Sequence, residues 1–346
     1  MKKSVFMLLI LAMVTVFVVS SCAPKAVTTP APAAKLTPKT IPWGTMVPGT
    51  AQYIWVTAIA NVLNKYGGLD ISVQPNSDAS INFKMFKSKE ILLGMTAHTE
   101  AWASYTGAYP DAYPEAQPIR LLASGVNLTF TFISTNPNIK SISDLKGKKL
   151  YGKQPSGVSI FLPVRSTLEA YGLKDTDVEI LVIPAIPEAT RGLIEGKADA
   201  LFYSVAPYLD ELRRSKPFYP IPVEASKAKI VAEKVPGIVP ATWPAGLFGT
   251  KEATPTVGHA FAFYAHQDLD DTIVYNILKT MYERQDELGQ IHPQLKEWSK
   301  ERALSLVSIP VHPGAIKYYK EQGMWTSEME AKNKKLLDDE PKLKRN

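Results

Sequence analysis

Ile41-Pro42-Trp43-Gly44-Thr45-Met46-Val47-Pro48-Gly49-Thr50 (residues 41–50) is where one pattern ends and another begins. Pro42 to Met46 reads as a strand, and Val47-Pro48-Gly49-Thr50 as the turn that closes it. From Ala51 to Tyr66 the residues Ile54, Ala58, Ile59, Val62, Leu63 and Tyr66 recur at helical spacing, and Gly67-Gly68 stops the run. A strand feeding a helix through a Gly-Thr turn is the unit of an α/β protein.

The unit recurs downstream. Ile71 to Gln74 reads as a strand, followed by Pro75-Asn76-Ser77-Asp78-Ala79-Ser80 and a helix to about Ser88. Leu92 to Thr96 reads as a strand and His98 to Thr106 as a helix. Ile119 to Ser134 holds two strand-like pieces, where the chain is expected to cross into a second lobe. That lobe opens with a short helix at Ile142 to Leu145 and a strand at Lys149 to Gly152. Pro155-Ser156-Gly157-Val158-Ser159 then leads into a helix to about Tyr171, whose Pro163 is tolerated in the first turn. Strands at Glu179 to Ile183 and Ala200 to Ser204 alternate with helices at Pro187 to Glu195 and Tyr208 to Ser215. A return to the first lobe is expected near Trp243 to Thr256, then helices around Thr272 to Glu287 and Pro293 to Leu306.

The amino terminus is of another kind. Lys2 and Lys3, the apolar run Val5 to Val19 and the small residues Ser20 and Ser21 form a secretory signal, and Cys22 completes a bacterial lipobox. The apolar run is shorter than the roughly 20 residues a spanning helix needs. Cleavage before Cys22 and lipid on its sulfur would tether the protein outside the cytoplasm. Ala23 to Thr40, rich in Ala, Pro, Thr and Lys, reads as a flexible tether. The expected organisation is therefore a signal peptide over 1–21 and a lipidated tether over 22–41. Lobe I takes 42–127 with 247–326, lobe II takes 128–246, and a charged tail covers 327–346.

Composition narrows the function. The chain of 346 residues is 45% hydrophobic and 21% charged, ordinary for a globular protein. Its net charge of +6, two units of which lie on Lys2 and Lys3, is too small and too scattered for nucleic acid binding. Cys22 is the only cysteine, so once it is lipidated no thiol remains for a disulfide, a thiolate metal site or a nucleophile. The five histidines have no H-E-x-x-H spacing, and there is no G-x-S-x-G elbow, Walker loop or G-x-G-x-x-G. The chain reads as a binder rather than an enzyme, without cofactor or metal.

Three strand-to-helix junctions carry the binding chemistry. Glycine lets a ligand approach the backbone, and the first N–H groups of the helix point at it with the positive dipole end. Thr50 and Tyr53 at the first junction, with Ser156, Gly157 and Ser159 in the second lobe, are the foremost candidate ligand contacts. Ser77, Asp78, Ser80 and Tyr203 come next. Capping of an ordinary helix accounts for any one such junction, whereas two in the first lobe and one in the second suggest a shared cleft. Trp55 and Trp102 read as core.

The order of these pieces resembles a known family. Gly44-Thr45, Gly49-Thr50 and Asn61-Val62-Leu63-Asn64 resemble the opening of TAXI-family solute-binding proteins of TRAP transporters. So do Ser141-Ile142-Ser143-Asp144-Leu145-Lys146-Gly147-Lys148-Lys149-Leu150 and Ile194-Glu195-Gly196-Lys197-Ala198-Asp199-Ala200-Leu201-Phe202. The more specific piece is His312-Pro313-Gly314-Ala315-Ile316-Lys317-Tyr318-Tyr319 with Gly323. The resemblance implies a two-lobe periplasmic-binding-protein fold of the cluster II type, closing on a ligand. It also implies a monomer that delivers a small organic acid or amino acid, an organic anion in the main, to a TRAP-type permease. Asp78 departs from the family's Gly-Gly-Ser, and an acid there would repel an anion unless it points away or meets a positive or hydroxyl-bearing end. Two alternatives stay open: a binding lipoprotein of an ABC importer, and a sensor that presents its ligand to a receptor.

Overall fold

Helix α1 (Ala51–Tyr66) shows how the sequence builds its elements. Trp55, Val56, Ile59, Val62 and Leu63 are buried along one face. The Thr50 hydroxyl accepts from Tyr53 N at the start, and Gly67 N donates to Leu63 O at the end. The computed structural model describes residues 35–76, 79–109, 111–155, 157–204 and 208–343. The signal segment, Cys22 and the tether as far as Ala34 lie outside the described residues.

Around α1 the first part of the chain forms β1 (Ile41–Met46), β2 (Ile71–Asn76), α2 (Ala79–Lys87), β3 (Leu93–Ala97), α3 (His98–Thr106) and β4 (Ile119–Ser134). The middle part forms β5 (Lys149–Lys153), α4 (Phe161–Ala170), β6 (Glu179–Val182), α5 (Ile186–Ile194), β7 (Ala200–Ser204), α6 (Tyr208–Ser215), β8 (Tyr219–Ile221), α7 (Ala225–Lys234) and β9 (Ile238–Trp243). The last part forms β10 (Thr254–His266), α8 (Asp271–Glu283), α9 (Gln285–Ile291), α10 (Pro313–Glu321) and α11 (Ser327–Asp339).

The strands lie in the order β2-β1-β3-β10-β4-β7-β5-β6, with β8 added to β4 and β9 to β10. Pairing is parallel where helices make the crossovers (β1 with β2 and β3, β5 with β6 and β7) and antiparallel around β4 and β10. The two long strands join two α/β lobes. Phe261 to Ala265 of β10 pair with β3, whereas Thr254 to His259 pair with β9. Ile119 to Ser124 of β4 face the second half of β10, and Phe130 to Ile133 pair with β7. The register between the two strands breaks between Ala260 and Ala262, where they pass from one lobe to the other.

Several expectations are corrected here. Ile119 to Ser134 is one continuous strand, not two pieces, because both halves find partners along β10. Between Trp243 and Thr256 the chain turns from β9 into β10, whose first half pairs antiparallel with β9. Pro293 to Leu306 forms two short 3-10 turns, Pro293–Glu297 and Lys300–Arg302, not a helix. The end of the tether is already bound: Leu36 N donates to Asp268 O, and Asp270 N donates to Leu36 O.

The charged carboxy-terminal stretch is a docked helix rather than a tail. Asn333 on α11 is buried and its Oδ1 accepts from Val311 N at 2.7 Å. Arg120 Nη2 donates to both carboxylate oxygens of Glu340, at 2.8 and 2.9 Å. Replacing Asn333 with Ala leaves the Val311 N–H buried without an acceptor, and urea titration is expected to show a loss of about 1–3 kcal/mol. An unchanged midpoint would mean that α11 contributes no buried hydrogen bond to stability.

Candidate functional site

A cavity of about 600 Å³ lies at the crossing of β4 and β10. Its wall is drawn from both lobes: the start of α1, the β3–α3 junction, the middle of β4 and β10, the loop before α4, and the end of β7. That is the carboxyl-terminal edge of several parallel strands, where open α/β sheets bind ligands.

The α1 side begins with Gly49, whose φ of +91° lets the chain turn sharply into the helix. The Thr50 hydroxyl donates to Val47 O at 2.9 Å and accepts from Tyr53 N at 3.2 Å. One turn further, Trp55 is fully buried and lines the cavity, and its Nε1–H has no acceptor among the described residues. Gln52 also lines the wall and is held by its Nε2 donating to Met95 O.

The opposite side is organised by Glu100, in the first turn of α3 and only 3% exposed. Its Oε1 accepts from Val158 N at 2.8 Å and Ser159 N at 2.7 Å, and its Oε2 accepts from the Tyr113 hydroxyl. The loop leading into α4 is therefore wrapped around a carboxylate from the other lobe. Gly157, with φ +83°, makes room for it, since a Cβ there would come within 2.6 Å of Oε1. Three charge-assisted hydrogen bonds replace the water that Glu100 gives up. No lysine, arginine or histidine pairs with it among the described residues.

A second clasp stands beside the first. Thr99 Oγ1 donates to Pro236 O at 2.8 Å, and Gly237, with φ +98°, packs so closely that a Cβ would come within 2.5 Å of Thr99 N. Because that neighbour is backbone, Gly237→Ala must push the start of α3 away. A melting temperature lower by several degrees is expected, from a loss of about 2–3 kcal/mol. A melt within 1 °C or so of the parent would show that the clasp is loose.

Aromatic side chains complete the wall. Phe130 and Tyr203 are 6.0 Å apart, and Phe130 lies 4.2 Å from the ring of His259. Phe261 joins them on the wall. His259 is fully buried with neither ring nitrogen partnered among the described residues. Burial pushes its pKa down to about 3, so it is a neutral donor and acceptor at pH 7. Burial also pushes the Tyr203 hydroxyl up, keeping it a neutral phenol. No lysine or arginine lines the cavity among the described residues. Among the same residues no group of three His, Cys, Asp or Glu could hold a metal ion.

The structure brings Thr50, Ser159 and Tyr203 together on this wall. Gly157 stands behind the wall, against Glu100. Tyr53 lies on α1, and Ser80 in the first turn of α2; neither is among the lining residues. Ser77, Asp78 and Ser156 lie outside the described residues. Trp55, read from sequence as core, is both core and wall, while Trp102 packs against Tyr109 at 5.9 Å. Sequence reasoning missed Glu100, His259 and Gln154. The signal for Glu100 was available, because Thr96-Ala97-His98-Thr99-Glu100 is a further strand-to-helix junction. For His259, in the middle of a strand, there was none.

Fold and cavity together define an α/β protein of two lobes with a solute-sized chamber between them. The chain belongs to the NMT1-like family, whose model matches residues 43–323. Among solved structures it is similar to PhnD1 from Prochlorococcus marinus in complex with methylphosphonate, at 10% identity and a TM-score of 0.51. That match covers 83% of this chain and 100% of the other. It is also similar to the periplasmic aliphatic sulphonate binding protein SsuA from Escherichia coli, at 14% identity and a TM-score of 0.49, covering 87% of this chain and 86% of that one. At such identities the likeness is one of fold.

Proposed function

We propose that the protein is an extracytoplasmic solute-binding protein that encloses a small organic acid or amino acid between its lobes and passes it to a membrane permease. The observation that carries this reading is the chamber itself. Its volume of about 600 Å³ suits a metabolite, and its wall is completed only when both lobes contribute. A ligand held by both lobes binds the closed form better than the open one, which is what capture and release require. Membership of the NMT1-like family and a fold shared with a methylphosphonate-bound protein support the same conclusion. The TRAP type of permease rests on the resemblance of His312 to Tyr319 to the TAXI closing stretch. Thr50, Ser159 and Tyr203 are the proposed ligand contacts from the wall; Tyr53, Gly157 and the junction residues Ser77, Asp78, Ser80 and Ser156 are proposed as further contacts on the sequence pattern alone.

The test is a melting screen of the full chain, in mild detergent, against organic acids, amino acids and amines. A solute at 100 times its Kd adds about 2.7 kcal/mol of stability. Tyr203→Ala is expected to weaken the bound solute about tenfold, about 1.4 kcal/mol, with little change in the unliganded melt. If no solute of any class moves the melt, solute capture is wrong.

The anchor is proposed at Cys22, which places the protein on the outer side of the membrane that its permease spans. Retention in the membrane fraction is expected for the parent and release for Cys22→Ser. Equal retention of both would remove the lipid from the account.

A further inference from the structure

We propose that Glu100 sets the ligand class: it fills the anion-binding start of α4 and makes the chamber select solutes that carry an ammonium group over dicarboxylates. The inference rests on the reading of the chamber as a solute site and narrows the class of solute it takes.

The helix start is the first observation. Backbone N–H groups that precede a helix are a ready anion site, and here Val158 N and Ser159 N are already bound, both to Glu100 Oε1. Gly157, in a left-handed conformation and without a side chain, fits that carboxylate in place. A ligand carboxylate directed to the same N–H groups would have to displace a buried, triply hydrogen-bonded group of like charge.

The second observation is the charge of the wall. Among the described residues Glu100 is the only acidic side chain on it, and the only ionisable nitrogen bases on it are His259 and His292, with no lysine or arginine. His259 is buried with both ring nitrogens unpartnered. A dicarboxylate would therefore bring further negative charge into a chamber whose one acidic side chain among the described residues has no lysine or arginine beside it. An ammonium group instead balances Glu100, whose Oε2 accepts one hydrogen bond among the described residues, from Tyr113, of the two that its lone pairs allow. Trp55, Phe130, Tyr203 and Phe261 line the space; aromatic rings attract a cation placed over their faces and take up the apolar body that carries it. The unpartnered Trp55 Nε1–H and His259 ring remain for a neutral polar group on the same solute.

The test uses the full chain in mild detergent and calorimetric titration with phenethylamine, L-phenylalanine, 2-phenylethanol, succinate and 2-oxoglutarate. The expected result is binding of an ammonium-bearing probe, at least tenfold weaker binding of 2-phenylethanol than of phenethylamine, and no heat from the two dicarboxylates. Glu100→Gln is expected to erase the preference of amine over alcohol while leaving the alcohol's own affinity in place. Because that variant removes a buried acceptor on which folding also depends, the amine-to-alcohol ratio of the parent protein decides the matter without it. Equal affinity for amine and alcohol, or binding of succinate or 2-oxoglutarate in preference to the amines, overturns the assignment to Glu100 and leaves solute capture standing. Silence from these probes, with a melt unmoved across the wider panel, overturns both.

Discussion

Acidification from pH 6.5 to pH 4.5 is expected to unfold the protein cooperatively, with uptake of about four protons, one for each of four buried histidines. Burial holds His98 and His259 down at about 3, and His266 and His312 at about 4. His98 is enclosed between Ser308 and Ser124, with its ring nitrogens 2.8 and 2.9 Å from their hydroxyls. His312 caps α10, where its Nδ1 accepts from Gly314 N at 3.2 Å. In the unfolded chain the same rings titrate near 6.5. Between that value and the folded ones, the unfolded state binds more protons than the folded state. Stability is therefore fully present above about 6.5 and is lost as pH falls toward 4 and 3. Each proton contributes about 1.4 kcal/mol per pH unit, so four together cost roughly 5 kcal/mol per unit, a large part of the 5–15 kcal/mol a domain possesses.

Urea midpoints measured at half-unit steps from pH 7.5 to 4.5 read this slope directly. His259→Leu removes one titrating ring from the wall of the chamber and should make the slope shallower by about 1.4 kcal/mol per unit. A stability that stays flat down to pH 4.5 would mean that these rings are protonated in the folded protein. The exposed carboxylates act lower. Hydrogen bonds from the backbone of Lys140 and Ser141 hold Asp144 below its usual range, and Lys174 N does the same for Asp177. Their contribution begins to be lost only below about pH 4, whereas the histidine loss begins near 6.5, so the two groups differ in where they start to act.

What the sequence made legible was whatever depends on neighbours along the chain. The helices Ala51–Tyr66, His98–Thr106 and Tyr208–Ser215 and the strand Ala200–Ser204 stand at their expected bounds, because period, cap and breaker are all local signals. Pro163 falls in the first turn of α4, as its missing N–H demands. Other elements were out of reach. β9 contains Pro240 and depends on pairing with Thr254 to His259 rather than on a pattern of its own. α7, with five polar or charged residues in ten, buries only Ala228 and Val231. α11 looks like a charged tail until the carboxamide of Asn333 meets Val311 N. Of the site, the helix starts were visible and their occupant was not. Glu100 meets Val158 across 58 residues of chain: the junction from Thr96 to Glu100 is a local signal, but the partner it finds in the other lobe is not.

The crossing strand carries the last expected result: Gly125→Ala is predicted to cost about 3 kcal/mol, more than an exposed strand glycine would, and Trp298→Leu is predicted to return part of it. A Cβ at Gly125 would lie 2.2 Å from the Cδ2 and Cε3 atoms of Trp298, which is fully buried. The ring cannot retreat easily, because the chain on either side of the contact is pinned. Ser124 N donates to Ala303 O at 2.8 Å, and Ser124 Oγ donates to Leu306 O at 2.6 Å. Gly125 also sits where the β4–β10 register breaks, between Ser124 opposite Ala262 and Asn127 opposite Ala260. A side chain at that point therefore strains the joint between the lobes as well as the core. Trp298→Leu alone is expected to lose about 2–4 kcal/mol by opening a void. In the double variant the Ala methyl enters that void, so the combined loss should fall short of the sum of the single losses by 1 kcal/mol or more. Strict additivity in urea titrations would show that the glycine is required for strand geometry and not for the tryptophan. Leu128 and Phe130, three and five residues further along β4, form part of the chamber wall. The same substitution should thus also weaken any solute that the chamber holds, whereas Asn333→Ala, remote from the crossing, should leave its affinity unchanged.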